Sequence, residues 1–126
     1  MRSPPPTLLF VTPEYNRGVP GVLKNAIDWA SRPHGTNSFA HTPSAVIGAS
    51  PGKIGTAVAQ QSLRSALSFC DSPQMTAPEA YVQVTPGMIT GDGEVTEAST
   101  EQFLRNYMDA FGIFVNRVHT VLALVR

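Results

Sequence analysis

The sequence contains only one cysteine, Cys70, among its 126 residues. An intrachain disulfide is therefore impossible, and a small secreted scaffold held by disulfides is excluded. Because Cys70 falls in an apolar stretch, we expect it to act as a small buried hydrophobe. The proline-rich residues 1–7 contain no apolar signal-peptide core, so the expected location is the reducing cytoplasm.

Excess charge and long apolar runs are also missing. Nine Lys and Arg residues balance nine Asp and Glu residues, and the formal net charge is zero. This balance argues against a broad nucleic-acid-binding surface. The most apolar stretch, residues 113–125, is interrupted by Asn116, Arg117 and His119, and it is shorter than the ~20 residues that span a bilayer. We therefore predict neither a nucleic-acid partner nor a membrane partner.

Two kinds of chemistry are disfavoured by the spacing of the residues that would perform them. No metal site is predicted, because the three histidines stand apart without a neighbouring cysteine or paired carboxylate; they are His34, His41 and His119. Residues 48–52 match the Gly-x-Ser-x-Gly pattern of a hydrolase nucleophile. However, Pro51 follows Ser50 and has no backbone N–H for an oxyanion hole. A hydrolase is therefore not favoured.

Short apolar runs alternate with stretches of helical periodicity along the chain. The runs predict strands at residues 7–12, 44–49 and 81–84. The periodic stretches predict helices from residue 20 to 32, from about 58 to 70, and from about 99 onward. The residues expected on their inner faces are Val22, Leu23, Ala26, Ile27 and Ala30 in the first helix, and Val58, Leu63, Ala66, Leu67 and Cys70 in the second.

The last helix carries the strongest periodic stripe. Ser99 and Gln102 have the spacing of a capping box at its start. An aromatic-rich stripe follows and is expected to pack against the core; its members are Phe103, Leu104, Tyr107, Met108, Phe111, Phe114, Val115, Val118 and Leu122.

The resulting β-α-β-α-β-α order predicts an α/β fold with a parallel sheet, formed by a single domain over residues 1–126. Ligands of such folds bind at the carboxyl ends of the strands. The loops that begin at Pro13 and Ser50 are therefore the places to look for a site.

The first of these loops continues into a helix, and residues 12–29 read TPEYNRGVPGVLKNAIDW. This stretch closely resembles the signature of the NADPH-dependent FMN reductase family, which includes chromate and quinone reductases and some azoreductases. The second loop, SPGKIG at residues 50–55, is similar to the second flavin loop of that family. Members often have a glycine where Thr56 stands and an arginine where Val58 stands. The resemblance covers nearly all of the chain.

The resemblance implies a flavodoxin-like, three-layer fold and an activity. Family members hold FMN and take electrons from NADPH or NADH. They pass these electrons to a small-molecule acceptor by ping-pong hydride transfer. The acceptor would be a quinone, an azo compound, a metal oxyanion or free flavin. No catalytic side chain is implied, because hydride transfer needs no protein base.

The resemblance also assigns roles to the two loops. A planar flavin ring needs a flat wall and amide partners for its polar edge, and glycine-rich backbone can form a nest of N–H groups beside it. The implied cofactor-binding residues are Pro13, Glu14, Tyr15, Asn16, Ser50, Pro51, Gly52 and Gly55. Arg17 is a candidate for contact with the phosphates of NADPH or with an anionic acceptor. We expect the Glu14 carboxylate to pair or orient neighbouring groups and not to act as an acid.

The family comparison further implies an N-terminally truncated domain. Members normally begin with a strand, a phosphate-binding loop, a helix and a second strand, together about 60 residues, and none is recognisable before Leu8. The strand at Leu8–Val11 would then have an open edge, so we expect a homo-oligomer that covers it. The alternative is a non-catalytic or weakly flavin-binding paralogue or fragment that acts through oligomerisation.

Overall fold

A computed structural model describes residues 4–125 and contains three strands and three helices. In chain order they are β1 (Leu8–Val11), α1 (Gly21–Ala30), β2 (Ser44–Ser50), α2 (Ala57–Phe69), β3 (Tyr81–Gln83) and α3 (Ala98–Leu124). The predicted β-α-β-α-β-α order is confirmed, and each strand begins or ends within one residue of its predicted boundary.

The strands form one parallel sheet in the order β1-β2-β3. β1 pairs with the first part of β2, from Leu8 opposite Ser44 to Val11 opposite Ile47. β3 pairs with the last part of β2, where Ser50 lies opposite Gln83. Because all strands run in the same direction, the loops that follow them emerge at one edge of the sheet.

Helices cover both faces of the sheet and create two cores. On one face, Ile27 of α1 and Leu63 of α2 pack with Val46, and Cys70 is buried in the same cluster as predicted. On the other face, side chains of α3 pack on Ala45 of β2. The Tyr107 hydroxyl anchors α3 by donating to the Val46 carbonyl at 2.8 Å, and burial raises the pKa of this phenol. The result is an open, three-layer α/β fold of the flavodoxin-like type.

The first strand packs against the core with one face only. Leu8 and Phe10 pack against the core beneath α1 and α2. Leu9 and Val11 point to the opposite face, as alternation in a strand requires, and Val11 is 72% exposed. The α3 residues of the second core pack with Ala45 of β2, and within residues 4–125 the Val11 side chain is left largely uncovered.

Both shorter helices expose residues that periodicity places inside. Val22 is 84% exposed, and Ala26 and Val58 are also exposed. In α1 the stripe that reaches the sheet contains Ile27, with Leu23 and Ala30 beside it. Residues 22, 26 and 29 form the adjacent stripe, about 100° around the helix, and therefore face outward.

The last helix begins within one residue of its predicted start but is capped differently. It begins at Ala98, with Glu97 at the N-cap, and the Ser99 hydroxyl donates to the Glu97 carboxylate at 3.0 Å. The predicted capping box is therefore wrong, because Ser99 already lies inside the first turn. Tyr107 and Phe111 are buried as predicted, whereas Phe103 and Met108 of the same stripe are exposed.

The exposed part of that stripe has a geometric cause. A helix of 27 residues is about 40 Å long, whereas a seven-residue strand such as β2 extends for about 23 Å. α3 therefore extends beyond the sheet, and Leu122 is only partly buried. No helix within residues 4–125 combines the length and apolarity required to cross a membrane.

The closest approach between helix and sheet occurs at Gly48 of β2. A Cβ atom at this position would overlap the Thr56 hydroxyl and the Thr12 carbonyl oxygen. Thr12 lies just after β1 and Thr56 just before α2, and both side chains are buried. The missing side chain at Gly48 therefore allows the start of the first loop and the end of the second loop to pack directly against β2.

We predict that Gly48→Ala destabilises the fold by about 2 kcal/mol or more, because neither backbone nor buried Thr56 has room to move. Gly112→Ala is the matched control, since a methyl group there meets nothing within 4 Å on α3. That control should stabilise the chain by roughly 0.5–1 kcal/mol through helix propensity. Denaturant unfolding measures both values. Equal stability of Gly48→Ala and the parent chain would contradict the close packing.

Candidate functional site

The first loop, residues 12–20, contains a tight turn at the carboxyl edge of the sheet. Tyr15 and Gly18 exchange two backbone hydrogen bonds of 3.1 and 3.0 Å. The central residues Asn16 and Arg17 have positive φ angles of 51° and 63°, as in a type I′ turn. Asparagine tolerates this conformation, whereas arginine adopts it at some cost. The turn presents both side chains to solvent.

The first loop also offers unpaired polar groups and an aromatic surface. Tyr15 is 64% exposed, and Pro13 beside it in sequence is exposed as well. Among the hydrogen bonds formed between residues 4–125, none uses the backbone N–H of Glu14 or Asn16. These donors and the Tyr15 ring are therefore available to a ligand.

The second loop, residues 50–56, is held by its own hydrogen bonds. The Ser50 hydroxyl accepts from the Gly52 N–H at 3.1 Å, and the Gly52 carbonyl accepts from the Gly55 N–H at 3.1 Å. Pro51 and Gly52 are exposed. In the described part of the chain, the N–H groups of Lys53 and Ile54 take part in no hydrogen bond. Sequence reasoning missed these two donors because their side chains carry no signature.

Gly55 serves the packing of this loop. It is buried with φ +59°, and a Cβ atom there would stand 2.8 Å from the backbone carbonyl carbon of Tyr81. The glycine therefore lets the loop lie directly on β3. Gly55 faces the sheet, while Pro51 and Gly52 form the exposed part of the loop.

Glu14 connects the two loops. Its Oε1 accepts from the backbone N–H of Ala59 in the first turn of α2 at 2.8 Å. Its Oε2 accepts from Nη1 of Arg17 at 3.0 Å. The Glu14 side chain is only 6% exposed, whereas that of Arg17 is 69% exposed. One buried carboxylate thus ties the first loop to the start of α2, the helix that follows the second loop.

The electrostatics of this connection favour the ionised carboxylate. The hydrogen bond from the Ala59 amide is the main cause that holds the pKa of Glu14 below its ordinary value of 4.5. Desolvation acts in the opposite direction, and the neighbouring Arg17 guanidinium lowers the pKa further. Glu14 is therefore negatively charged at neutral pH and unsuited to act as a proton donor.

The histidines lie away from this edge. His41 and His119 line a shared surface cavity together with Thr42, which precedes the first residue of β2. Ser50 ends β2, so roughly 20 Å of strand separates it from these histidines and no hydrolytic triad forms. Within residues 4–125, no group of three or more His, Cys, Asp and Glu side chains is arranged to hold a metal ion.

A surface cavity of about 720 Å³ also lies elsewhere. It is formed by α3 and the segment after β3, and its lining includes Glu94, Leu104, Arg105 and Met108. Neither loop contributes to it. We therefore take the two loops, and not this cavity, as the candidate site. The loops lie at the carboxyl edge of the sheet, contain unpaired backbone donors and are connected through Glu14.

The fold and these loops define an open, parallel α/β protein with a candidate ligand site at the carboxyl edge of its sheet. Residues 6–87 match the model of the NADPH-dependent FMN reductases, and the chain belongs to that family.

Relatives of this family include proteins that act on quinones. A 2-hydroxy-1,4-benzoquinone reductase from Burkholderia is 45% identical over 108 residues, which cover 86% of this chain and 59% of the relative. A quinone reductase from Escherichia coli is 41% identical over 112 residues, covering 88% of this chain and 59% of that protein. The chain therefore spans about three-fifths of the length of these curated relatives.

A solved structure has the same fold. The flavoenzyme NAD(P)H:(acceptor) oxidoreductase FerB from Paracoccus denitrificans superimposes with a TM-score of 0.84 and 47% identity. The match covers 88% of this chain and 61% of the solved chain.

We predict that the Glu14 carboxyl group titrates with a midpoint below 4.5 in the folded chain, as followed by carboxyl-carbon NMR. Because folding lowers this pKa, the stabilisation it provides is fully present above the unfolded pKa and is lost as pH falls through the folded value. Arg17→Ala should raise the midpoint only in part, since the Ala59 hydrogen bond remains. A midpoint at or above 4.5 in the parent chain would contradict the geometry.

Proposed function

We propose that this chain acts as an FMN-dependent NAD(P)H oxidoreductase that reduces small acceptors. The acceptors are quinones, azo compounds, metal oxyanions or free flavin. The observation that supports this most directly is the pair of loops joined by Glu14 at the carboxyl edge, in a chain of the FMN reductase family. The Burkholderia relative is named for a benzoquinone, and the Paracoccus neighbour is a flavoenzyme that uses NAD(P)H.

The residues present fit the edge of a flavin ring. An exposed aromatic ring at Tyr15 and the unpaired N–H groups of Glu14 and Asn16 suit a planar ligand with a polar edge. The exposed Pro51 and Gly52 allow close approach from the second loop. The proposed cofactor-binding residues are Pro13, Glu14, Tyr15, Asn16, Ser50, Pro51, Gly52 and Gly55, as the sequence predicts.

Bound FMN supplies the hydride-accepting chemistry between NADPH or NADH and the acceptor, in a ping-pong sequence. The chain contributes binding and orientation, and no side chain in either loop is needed as a proton donor. Arg17 is proposed to attract the phosphates of the nucleotide or an anionic acceptor. Its guanidinium is anchored at one nitrogen by Glu14 and is otherwise open to solvent.

The proposal extends to assembly and location. Residues 4–125 belong to one flavodoxin-like domain in the cytoplasm, where the buried thiol of Cys70 stays reduced. A second copy of the chain covers the exposed Leu9 and Val11 and the open edge of β1, giving a homo-oligomer. A well-folded monomer in size-exclusion chromatography with light scattering would overturn the oligomer.

The exposed Leu9 and Val11 side chains of β1 also favour a second candidate function. In that alternative, the chain binds flavin weakly or not at all and acts through oligomerisation alone. The two candidates differ in one property, because only the reductase changes the absorbance of FMN when NADPH is added.

We predict saturable binding when the chain is titrated with FMN, followed by bleaching of the band at roughly 450 nm on anaerobic addition of NADPH. Tyr15→Ala should weaken FMN binding by about tenfold through the loss of aromatic contact. Trp29→Ala is the matched control, since Trp29 is also exposed but lies near the end of α1 and outside both loops. Failure of the parent chain to bind FMN would favour the oligomerising alternative.

A further inference from the structure

The bond between Glu14 and Ala59 joins residues that are 45 positions apart in sequence. Ala59 is the third residue of α2, so its N–H is one of the four at the start of a helix that have no partner within the helix. A carboxylate at this position completes the hydrogen bonding and interacts favourably with the helix dipole. Glu14 therefore performs for α2 the task of an N-terminal cap, from another loop.

The residue that could cap α2 locally is used elsewhere. Thr56 occupies the N-cap position but forms no side-chain cap. Its hydroxyl accepts from Nε2 of Gln60 at 2.9 Å, and it fills the space above Gly48. The same Gln60 amide donates to the Ala80 carbonyl at 2.8 Å, just before β3. Because Thr56 is committed to this packing, the first turn of α2 depends on Glu14.

Glu14 also acts on the exposed turn of the first loop. The Arg17 guanidinium bonds to the second carboxylate oxygen, while the Arg17 backbone is held at a positive φ of 63°. Such a conformation persists in a non-glycine residue when surrounding contacts support it. Both carboxylate oxygens are thus occupied, one by the second loop and one by the first.

We propose that Glu14 is a positioning residue that fixes the spacing between the two loops, so that the backbone donors of residues 14 and 16 and the exposed residues 51 and 52 meet the same ligand. This inference rests on the proposed flavin-binding function. It assigns the Glu14 side chain a role separate from that of its backbone N–H. Removing the Glu14 side chain should leave all of the proposed backbone donors in the chain, but the two loops would no longer hold them in position for the same ligand.

The test combines amide hydrogen exchange with FMN titration on four variants of the full chain. Glu14→Ala removes both acceptors, and Glu14→Asp keeps the charge but shortens the side chain by one carbon. Glu14→Gln keeps one oxygen that can accept from Ala59. Glu101→Ala is the matched control, because it deletes an exposed carboxylate that is paired with Arg105 within α3 and belongs to neither loop.

We expect the Ala59 amide to exchange at least about tenfold faster in Glu14→Ala and Glu14→Asp than in the parent chain, because the N–H loses its partner. In the same two variants the dissociation constant for FMN should rise by about tenfold. Glu14→Gln should restore both quantities to within about threefold of the parent values. Glu101→Ala should change neither. Exchange of the buried backbone amides of β2, measured in the same samples, separates alignment of the loops from a loss of overall stability.

The possible outcomes distinguish this inference from the proposed function. Unchanged Ala59 exchange in Glu14→Ala, or FMN affinity equal to that of the parent chain, would overturn the positioning role. If Glu14→Ala fails to fold, the comparison of Glu14→Asp with Glu14→Gln decides the same question. If the parent chain binds no FMN while Ala59 exchange still depends on Glu14, the proposed function fails and the connection between the loops remains.

Discussion

The contact of Thr56 with the bare backbone of Gly48 is the constraint from which the arrangement of the site follows. Because residue 48 has no side chain, the start of α2 lies directly on the central strand. The Thr56 hydroxyl then belongs to the interior, where it pairs with Gln60. One consequence is a tie between α2 and β3 through the Gln60 amide. Another consequence is that Thr56 does not cap α2, and the Glu14 carboxylate of the first loop accepts the Ala59 N–H instead.

Charge and backbone conformation reinforce this arrangement. The ionised Glu14 lies where a helix dipole favours negative charge, and Arg17 partly neutralises it from the solvent side. The turn that contains Arg17 is closed by two backbone hydrogen bonds, so the backbone that carries the guanidinium is held in place. The exposed surface of the site therefore combines unpaired backbone donors, the Tyr15 ring and the Asn16 and Arg17 side chains. Such a surface suits recognition of a planar cofactor edge better than acid–base chemistry.

Much of the fold could be predicted from the sequence because its signals are local. Short apolar runs that end near Pro13 and Pro51 indicated β1, β2 and the loops after them. The parallel order of the strands followed from their alternation with helices. The 18-residue signature in the first loop also indicated the family, which the match over residues 6–87 confirmed. The roles of individual loop residues remain predictions.

The features that could not be predicted depend on neighbours distant in the chain. Nothing near Glu14 in the sequence indicates that its carboxylate reaches Ala59, and Thr56 has the residue type of an ordinary N-cap. Periodicity identified an apolar stripe on α1 but not which of two adjacent stripes meets the sheet. Periodicity also predicted a continuous buried face along α3, although the sheet is too short to cover the whole helix. In each case the partner surface decided the outcome.

If the two loops at the carboxyl edge act as one ligand site, both should respond to the same ligand. The most direct measurement is a map of backbone amide chemical shifts in the isotope-labelled chain during titration with FMN. We expect saturable shifts concentrated at residues 13–17 and 50–55, with little change near His41 and His119 at the opposite end of β2. Shifts confined to one loop, or centred on the cavity beside α3, would contradict it.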